Sequence, residues 1–551
     1  MSTAPTSAGH REAELSAFIE RLVAELEPLQ RRHNEAVWMA NVTGDSSHEQ
    51  ESARLDVQIR SLFARRDSYE FLRALEASGG ADDPLLARQL QLLLNDYRAH
   101  QIPPEMIERM VTIEKSLESR FNNHRARLDG EPVTDNAIRE LLRESNDPER
   151  RRRAWEASKQ IGAEVAKDLR ALVRLRNQAA RAIGFPNFYT MALTLDELDE
   201  TELFALFDEV EQGTRPLFER YKQTLDSRLA ERFGVAVEAL RPWHYGDPFF
   251  QEAPAAEVAL DPYFEERSLA DLTERFFQAI GFDVRDLLAH SDLYEKPGKC
   301  QHAFCMSMDR RDDIRVLCNV RPNEYWMGTM LHEFGHAVYE QGIDRSLPYV
   351  LRGPAHTMAT EASAMLFGRL SKNAAWLTRY AGAPADEAHA AAAALAQATR
   401  NQLLVQTRWC LVMSHMERAL YRYPEQDLDA LWWGLVERYQ WVWSPDGRRA
   451  PDWASKIHFS VAPVYYHNYL LGEIMASQLQ SHIQREVLGN GADVWERYVA
   501  SPEVGGFLVQ RLYRTGKAHD WRATLREATG RALNTGAFVD ELAGGGAGNG
   551  R

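Results

Sequence analysis

The chain has 551 residues, which is enough for several ordinary domains or for one large helical body. Its 80 acidic and 65 basic side chains give a formal net charge of −15 at pH 7, which argues against a nucleic-acid partner. No apolar stretch approaches the length of a membrane helix, and the N-terminus lacks the basic and apolar pattern of a signal peptide. We therefore expect a cytoplasmic protein without membrane association.

Most of the chain shows the 3.6-residue apolar rhythm of amphipathic helices. The first such segment runs from residue 12 to the region of Gly44, and Pro28 is predicted to break it. A second segment ends at Gly184, where leucine spacing gives way to a helix-stopping residue. A long alanine-led helix is predicted over residues 385–422.

Strand signals are scarce, and the clearest lie together. The segments "QHAFCMSM" and "IRVLCNV", separated by the charged turn "DRRDD", predict a β-hairpin. Four cysteines are too few for a disulfide scaffold and lack the spacing of a structural zinc site. We interpret all of them as buried thiols: Cys300, Cys305, Cys318 and Cys410.

The organisation of the chain is predicted to be simple. A stretch rich in proline and aromatic residues, 241–264, is a plausible joint between two lobes. We predict a disordered N-terminus over residues 1–9, one helical domain over 10–542 and a disordered glycine-rich tail over 543–551.

Just after the hairpin comes "MGTMLHEFGHAVYEQG", in which His332 and His336 are four residues apart. On a helix they point the same way and can offer two nitrogens to one metal ion. A third ligand is expected from "HTMATEASAMLFGRL", where Glu361 is preferred because a carboxylate opening a second helix can face the first. His356, in the preceding loop, is interpreted as a supporting or structural residue.

The same motif predicts the chemistry. Zinc held by three protein ligands keeps a fourth position open for water, and we expect one Zn²⁺ per chain. Glu333 is then placed to accept a proton from the attacking water and to pass it to a leaving amine. Gly335 costs about 1 kcal/mol in a helix interior, so it indicates that another backbone or a substrate comes close. These residues predict a zinc-dependent hydrolase.

Beyond these motifs, the chain resembles the angiotensin-converting-enzyme family of zinc peptidases. The segments "HNEAVWMANVTGD", "GDPFFQ", "QHAFC", the zinc motifs and "LWWGLVERYQWVWSPDGRRAPDWASKIHFSVAPVYYHNYLLGEI" follow the order of that family. The resemblance implies an all-α, two-lobed ellipsoid with a deep central cleft and a small hairpin beside the zinc site. It also implies release of C-terminal dipeptides from short, unstructured peptides with a free C-terminus.

The family pattern also implies roles for single residues. The zinc ligands and general base are those named above, and Tyr469 and His458 fall on the positions of the oxyanion-side donors. His302 and Ala303 match the hairpin edge that pairs with the substrate backbone.

Three further residues fall on the positions that hold the terminal carboxylate of the substrate: Gln251, Lys456 and Tyr466. An amide, a cation and a phenol can all donate hydrogen bonds to an anion. This set favours dipeptide release over general oligopeptide cleavage.

The chain also departs from the family pattern. Asn468 and Val436 stand where arginines of the animal enzymes bind chloride, so no chloride activation is expected. Met365 replaces an acidic residue one turn beyond the third ligand, so the sequence identifies no supporting partner for His332.

Other functions remain open at this point. A thimet-type oligopeptidase would use the same zinc helix and cut inside short peptides. A Taq-type metallocarboxypeptidase is suggested by "HEFGHAVYEQG", although "ATEASA" is a poor match to its second motif. A catalytically silent, peptide-binding protein on the same fold is a further alternative. Glu333 argues against it, because a carboxylate beside two ligands is costly without a compensating metal or proton.

Overall fold

A computed structural model describes residues 8–254 and 259–545 of the chain. These residues form helices almost throughout, with two small antiparallel sheets, and confirm the predicted all-α class. Within the described ranges, no helix is both long enough and apolar enough to cross a membrane.

The first part of the chain contains ten helices and one hairpin among its described residues. Their bounds are α1 Ala8–Thr43, α2 Ser46–Phe63, α3 Arg66–Ala77, α4 Pro84–Ala99, α5 Pro104–Asn123, β1 Ala126–Leu128, β2 Glu131–Val133, α6 Asp135–Glu144, α7 Pro148–Ser158, α8 Gln160–Ala182, α9 Phe188–Leu195 and α10 Glu200–Phe233.

An irregular connection with short 3-10 turns follows, and the remaining elements carry the zinc motifs. Their bounds are α11 Leu269–Ala279, α12 Arg285–His290, β3 Phe304–Ser307, β4 Ile314–Leu317, α13 Glu324–Gly342, α14 Thr357–Gly368, α15 Ala374–Trp376, α16 Ala385–Arg422, α17 Leu428–Gln440, α18 His458–Val461, α19 His467–His482, α20 Val494–Tyr498, α21 Pro502–Leu508, α22 Trp521–Thr529 and α23 Gly536–Leu542. The predicted alanine-led helix matches α16.

The first helix differs from its prediction at Pro28, which lies inside α1 and does not break it. An interior proline removes one backbone hydrogen bond and costs about 3 kcal/mol. Leu22 and Leu26 before it and Trp38 after it are buried, and packing of this apolar face outweighs the lost bond. The predicted end is correct, because the helix stops before Gly44, whose φ is +69°.

The core of the molecule around the zinc motifs is a stack of three helices, in which α14 packs against both α13 and α19. A Cβ on Gly335 of α13 would lie 2.6 Å from the Cα of Ala364, and one on Gly472 of α19 would lie 2.9 Å from the Cβ of Glu361. The two glycines therefore allow α13 and α19 to approach α14 closely. This confirms the expected close approach at Gly335.

The predicted hairpin is present as β3 and β4, with Cys305 paired opposite Val316. A second hairpin, β1–β2, was not predicted. It turns at Asp129 and Gly130, which both have positive φ, and an Asp-Gly pair is a strong signal for this kind of turn. This pair in the sequence was therefore a signal that could have predicted the β1–β2 hairpin.

Of the four cysteines, Cys318 and Cys410 are buried as predicted. Cys300 and Cys305 are only half-buried, so the prediction is wrong for these two. They lie before and on β3, which has one neighbouring strand in its sheet and therefore leaves one edge unpaired.

The two termini predicted to be disordered lie mostly outside the described residues, which exclude 1–7 and 546–551. Part of the predicted joint, residues 255–258, also lies outside them. The helical domain predicted over 10–542 corresponds to the span from α1 to α23. Its division into two lobes stays a prediction.

Candidate active site

The structure brings together the three residues predicted to bind zinc. His332 and His336 lie one turn apart on α13, and Glu361 lies on α14, which packs against it. The Nε2 atoms of the two histidines are 3.8 and 3.9 Å from Oε2 of Glu361. One ligand atom from each residue lies within 4.8 Å of the others.

This arrangement fits a zinc ion. Ligand atoms about 2.1 Å from a tetrahedral zinc lie about 3.4 Å apart, slightly closer than they are here. Oε2 of Glu361 is buried and has no hydrogen-bond partner in the described part of the chain. A buried carboxylate oxygen without a partner is costly, and a cation between it and the two imidazoles would satisfy it.

The electrostatics of the site also favour a cation. Burial lowers the pKa of His332 to about 4, so the ring is neutral and able to ligate a metal. Burial raises the pKa of Glu361 to about 7. Burial, together with the charge of Glu361, raises the pKa of Glu333 to about 8. Two carboxyl groups that resist ionisation beside neutral imidazoles are expected where a divalent ion supplies the missing charge.

Two supporting residues escaped the sequence analysis. The hydroxyl of Tyr465 donates a hydrogen bond to Oε1 of Glu361 at 2.7 Å, which leaves Oε2 to face the histidines. The hydroxyl of Thr360 is 2.8 Å from Nδ1 of His336 and orients that ring. Tyr465 precedes Tyr469 by four residues, and this helical spacing was the available signal.

His356 has a structural position, in line with its interpretation. Its side chain caps α14 by accepting a hydrogen bond from the backbone N–H of Met358. Its Nε2 is 3.2 Å from the carboxylate of Asp196. It therefore fixes the start of the helix that carries Glu361.

The two predicted oxyanion-side donors lie beside each other. The rings of Tyr469 and His458 are 6.5 Å apart, and the ring of Tyr469 is 5.3 Å from that of Tyr465. Burial and the carboxylates of Glu361 and Glu333 raise the pKa of Tyr469. Burial lowers the pKa of His458 to about 3, with further contributions from neighbouring positive groups. Both side chains are therefore neutral and can donate hydrogen bonds, and Tyr469 lies beside Tyr465, the partner of Glu361.

The three residues predicted to bind the terminal carboxylate also converge. The ammonium of Lys456 donates to Oε1 of Gln251 at 2.8 Å and lies 5.9 Å from the centre of the Tyr466 ring. Burial lowers the pKa of Lys456 to about 8. The hydroxyl of Tyr466 accepts a hydrogen bond of 2.5 Å from Nε1 of Trp409.

His302 and Ala303 immediately precede β3, so they flank the hairpin edge without belonging to its paired strand. Burial lowers the pKa of His302, and the charges of Arg139 and Lys456 act in the same direction. The charge of Lys456 therefore acts on His302.

Comparison with known proteins identifies the family. The sequence model of peptidase family M3 matches residues 141–544, which contain the residues of the site described above. The model of angiotensin-converting enzyme matches residues 9–241 and so supports the resemblance found in the sequence. No curated protein matches the chain. Because the first of these matches covers most of the chain, the protein belongs to peptidase family M3 and is a zinc metallopeptidase.

Proposed function

We propose that the protein releases dipeptides from the free C-terminus of short peptides. The observation that carries this proposal is that Lys456 has no anionic partner. The residue is half-buried, its ammonium donates a hydrogen bond to the neutral amide of Gln251, and it forms no ion pair among the described residues. A partly desolvated cation is stabilised by an anion, and the terminal carboxylate of a peptide provides one.

His332, His336 and Glu361 would hold the metal. When bound, zinc supplies a Lewis acid that polarises the scissile carbonyl and makes water acidic at neutral pH. Glu333, 8% exposed, accepts the proton of the attacking water and returns it to the leaving amine.

The remaining residues bind the substrate and its developing charge. Tyr469 and His458 donate hydrogen bonds to the oxyanion, a role in which a single donor is typically worth about 2.7–4 kcal/mol. Lys456, Gln251 and Tyr466 hold the carboxylate and so set how many residues follow the cleaved bond. The free edge of β3 offers backbone groups to an extended substrate.

A thimet-type oligopeptidase is the second candidate, and one observation favours it. The family M3 model matches the whole zinc-site half of the chain, whereas the angiotensin-converting-enzyme model ends at residue 241. If the protein is a thimet-type oligopeptidase, it would cut inside peptides, and cleavage would not depend on a terminal carboxylate.

One experiment separates these candidates. A short peptide is supplied with either a free or an amidated C-terminus, and the products are measured by mass spectrometry. The proposal predicts that the free peptide loses a dipeptide and that its amide is cut at least tenfold more slowly. Equal cleavage of both forms at internal bonds would support the oligopeptidase instead.

A variant of Lys456 tests whether this residue causes the preference for a free C-terminus. Lys456→Gln removes the cation and keeps a hydrogen-bond donor, so KM for the free peptide is expected to rise while cleavage of the amide stays unchanged. A similar loss with both peptides would show that Lys456 does not bind the carboxylate.

A further inference from the structure

The segment that joins α18 to α19 contains strained backbone. Val464 has a φ of +55°, in the left-handed region that a β-branched residue rarely adopts. Such a conformation costs about 1–3 kcal/mol and persists only where surrounding groups impose it. Val464 directly precedes Tyr465, which bonds to Glu361, and lies five residues before Tyr469. The strain therefore occurs where two active-site tyrosines are oriented.

A buried carboxylate of α16 is hydrogen-bonded to this strained residue. Glu417 is 3% exposed, and its Oε1 accepts a hydrogen bond of 2.7 Å from the backbone N–H of Val464. None of the roles described so far uses this buried acid. Burial raises its pKa to about 8, so near neutral pH it resembles an amide more than a free carboxylate.

The helix α18, which precedes this segment, is held from α8. Arg176 is 2% exposed and donates to the backbone carbonyls of Phe459 and Ser460, at 3.2 and 2.7 Å. The same guanidinium donates to the hydroxyl of Tyr421 and to the carboxylate of Glu114, which fixes its own position. The short helix α18 and the strained turn are therefore held by side chains from two long helices.

We infer that Glu417 and Arg176 are positioning residues, which place Tyr465 against Glu361 and Tyr469 beside the scissile bond by fixing residues 459–464. The placement of Tyr469 for turnover rests on the proposed function, whereas the placement of Tyr465 against Glu361 does not depend on it. If the turn at Val464 relaxes, Tyr465 moves away from Oε1 of Glu361 and the carboxylate loses its orientation. Loss of such an outer partner typically lowers metal affinity about 10–100-fold.

The test compares Glu417→Leu with Glu417→Gln in the full-length protein. The amide of Gln has the shape of the acid and can still accept from Val464, whereas Leu cannot. Zinc affinity is measured by competition with a chelator, kcat and KM are measured on a short peptide, and circular dichroism reports the fold. We expect the Leu variant to lose zinc affinity about tenfold or more and kcat in parallel. The Gln variant should stay within about threefold of the wild type in both measurements.

Two outcomes would overturn the inference, and a third would separate it from the proposed function. A folded Leu variant with the zinc affinity and kcat of the wild type would show that the turn does not depend on Glu417. Equal losses in the Leu and Gln variants would show that the hydrogen bond to Val464 is not the link. If the wild type cleaves no peptide while the Leu variant still loses zinc affinity, the positioning role stands and the proposed function fails.

A second variant covers the case in which Glu417→Leu does not fold. Arg176→Lys keeps the buried charge, but lysine cannot span the two carbonyls as a guanidinium does. Zinc affinity and kcat are expected to fall together in this variant. Wild-type values for both would overturn the role of Arg176.

Discussion

The two carboxyl groups at the centre of the site have different neighbours. Glu361 is bonded to Tyr465 through one oxygen and directs the other towards the histidines. Glu333 is buried, with 8% of its surface exposed, and has no hydrogen-bond partner among the described residues. One carboxyl group is thus fixed for ligation, and the other is left available for proton transfer. This difference could not be read from the motif, which predicts only that both residues are near the metal.

Glu333→Gln tests the assignment of the base. The amide keeps the volume of the side chain but cannot accept a proton at neutral pH, and it leaves the three ligands in place. Zinc content is expected to be unchanged, while kcat falls by about 10²–10⁴. Metal analysis and steady-state kinetics on the same sample check both parts. Loss of zinc from this variant would mean that Glu333 is a ligand rather than the base.

Lys456 predicts a pH dependence of substrate binding. Its pKa is lowered to about 8, chiefly by burial and next by the charge of Arg139. The ammonium is therefore present below pH 8 and is lost as the pH rises through that value. KM for a free peptide is expected to increase several-fold between pH 7 and pH 9, because the carboxylate loses its cationic partner. KM for the amidated peptide serves as the control and should not follow this titration.

At the scale of elements, periodicity predicted the long helices well because each of them buries an apolar face against the rest of the protein. The prediction failed at Pro28 because local propensity is weaker than the packing of Leu22, Leu26 and Trp38, which the sequence does not show. Thr360 and Tyr465 were missed for a related reason. Both residues lie inside segments that the sequence analysis used, but their roles arise from contacts with residues 24 and 104 positions away in the sequence.

The contact between α13 and α14 predicts the effect of adding one methyl group. A Cβ on Gly335 would lie 2.6 Å from the Cα of Ala364 and 3.1 Å from the carbonyl oxygen of Ser363, and backbone atoms cannot rotate away. Gly335→Ala gains about 1 kcal/mol of helix propensity but forces the helices apart. Overpacking of this kind typically costs about 1–3 kcal/mol, and zinc affinity should fall because His336 moves relative to Glu361.

Gly434→Ala is the matched control, because Gly434 is exposed on α17 and a Cβ there would meet nothing within 4 Å. This variant should gain stability, by about 1 kcal/mol, with unchanged zinc affinity. Denaturant unfolding of both variants provides the comparison. Equal stability changes in the two would show that the close contact at Gly335 is unimportant.

At the scale of the whole molecule, two family models match overlapping parts of the chain. Residues 9–241 match angiotensin-converting enzyme, and residues 141–544, which carry the site, match peptidase family M3. The sequence resemblance was drawn from motifs in both parts, so it identified the zinc chemistry correctly. The number of residues released depends on where the substrate ends inside the site. That depends on the spatial relation of Gln251, Lys456 and Tyr466 to the metal ligands, which motif order alone does not provide.

Access to the metal ligands limits which substrates can react. The side chains of His332, His336 and Glu361 are 29%, 17% and 5% exposed, so most of their surface is covered by the rest of the protein. We therefore expect an extended chain end to be cut more readily than a folded protein surface. The test uses a stable folded domain that carries C-terminal tails of increasing length, all of which end in the same two residues.

A two-residue tail should be resistant, and a tail of about ten residues, roughly 35 Å when extended, should be cut as rapidly as a free peptide. Mass spectrometry of each member gives the shortest tail that is processed. The same domain with an amidated long tail controls for recognition of the terminal carboxylate. Cleavage of the shortest tail would contradict this expectation, because the folded domain would then reach the metal ligands without an extended chain.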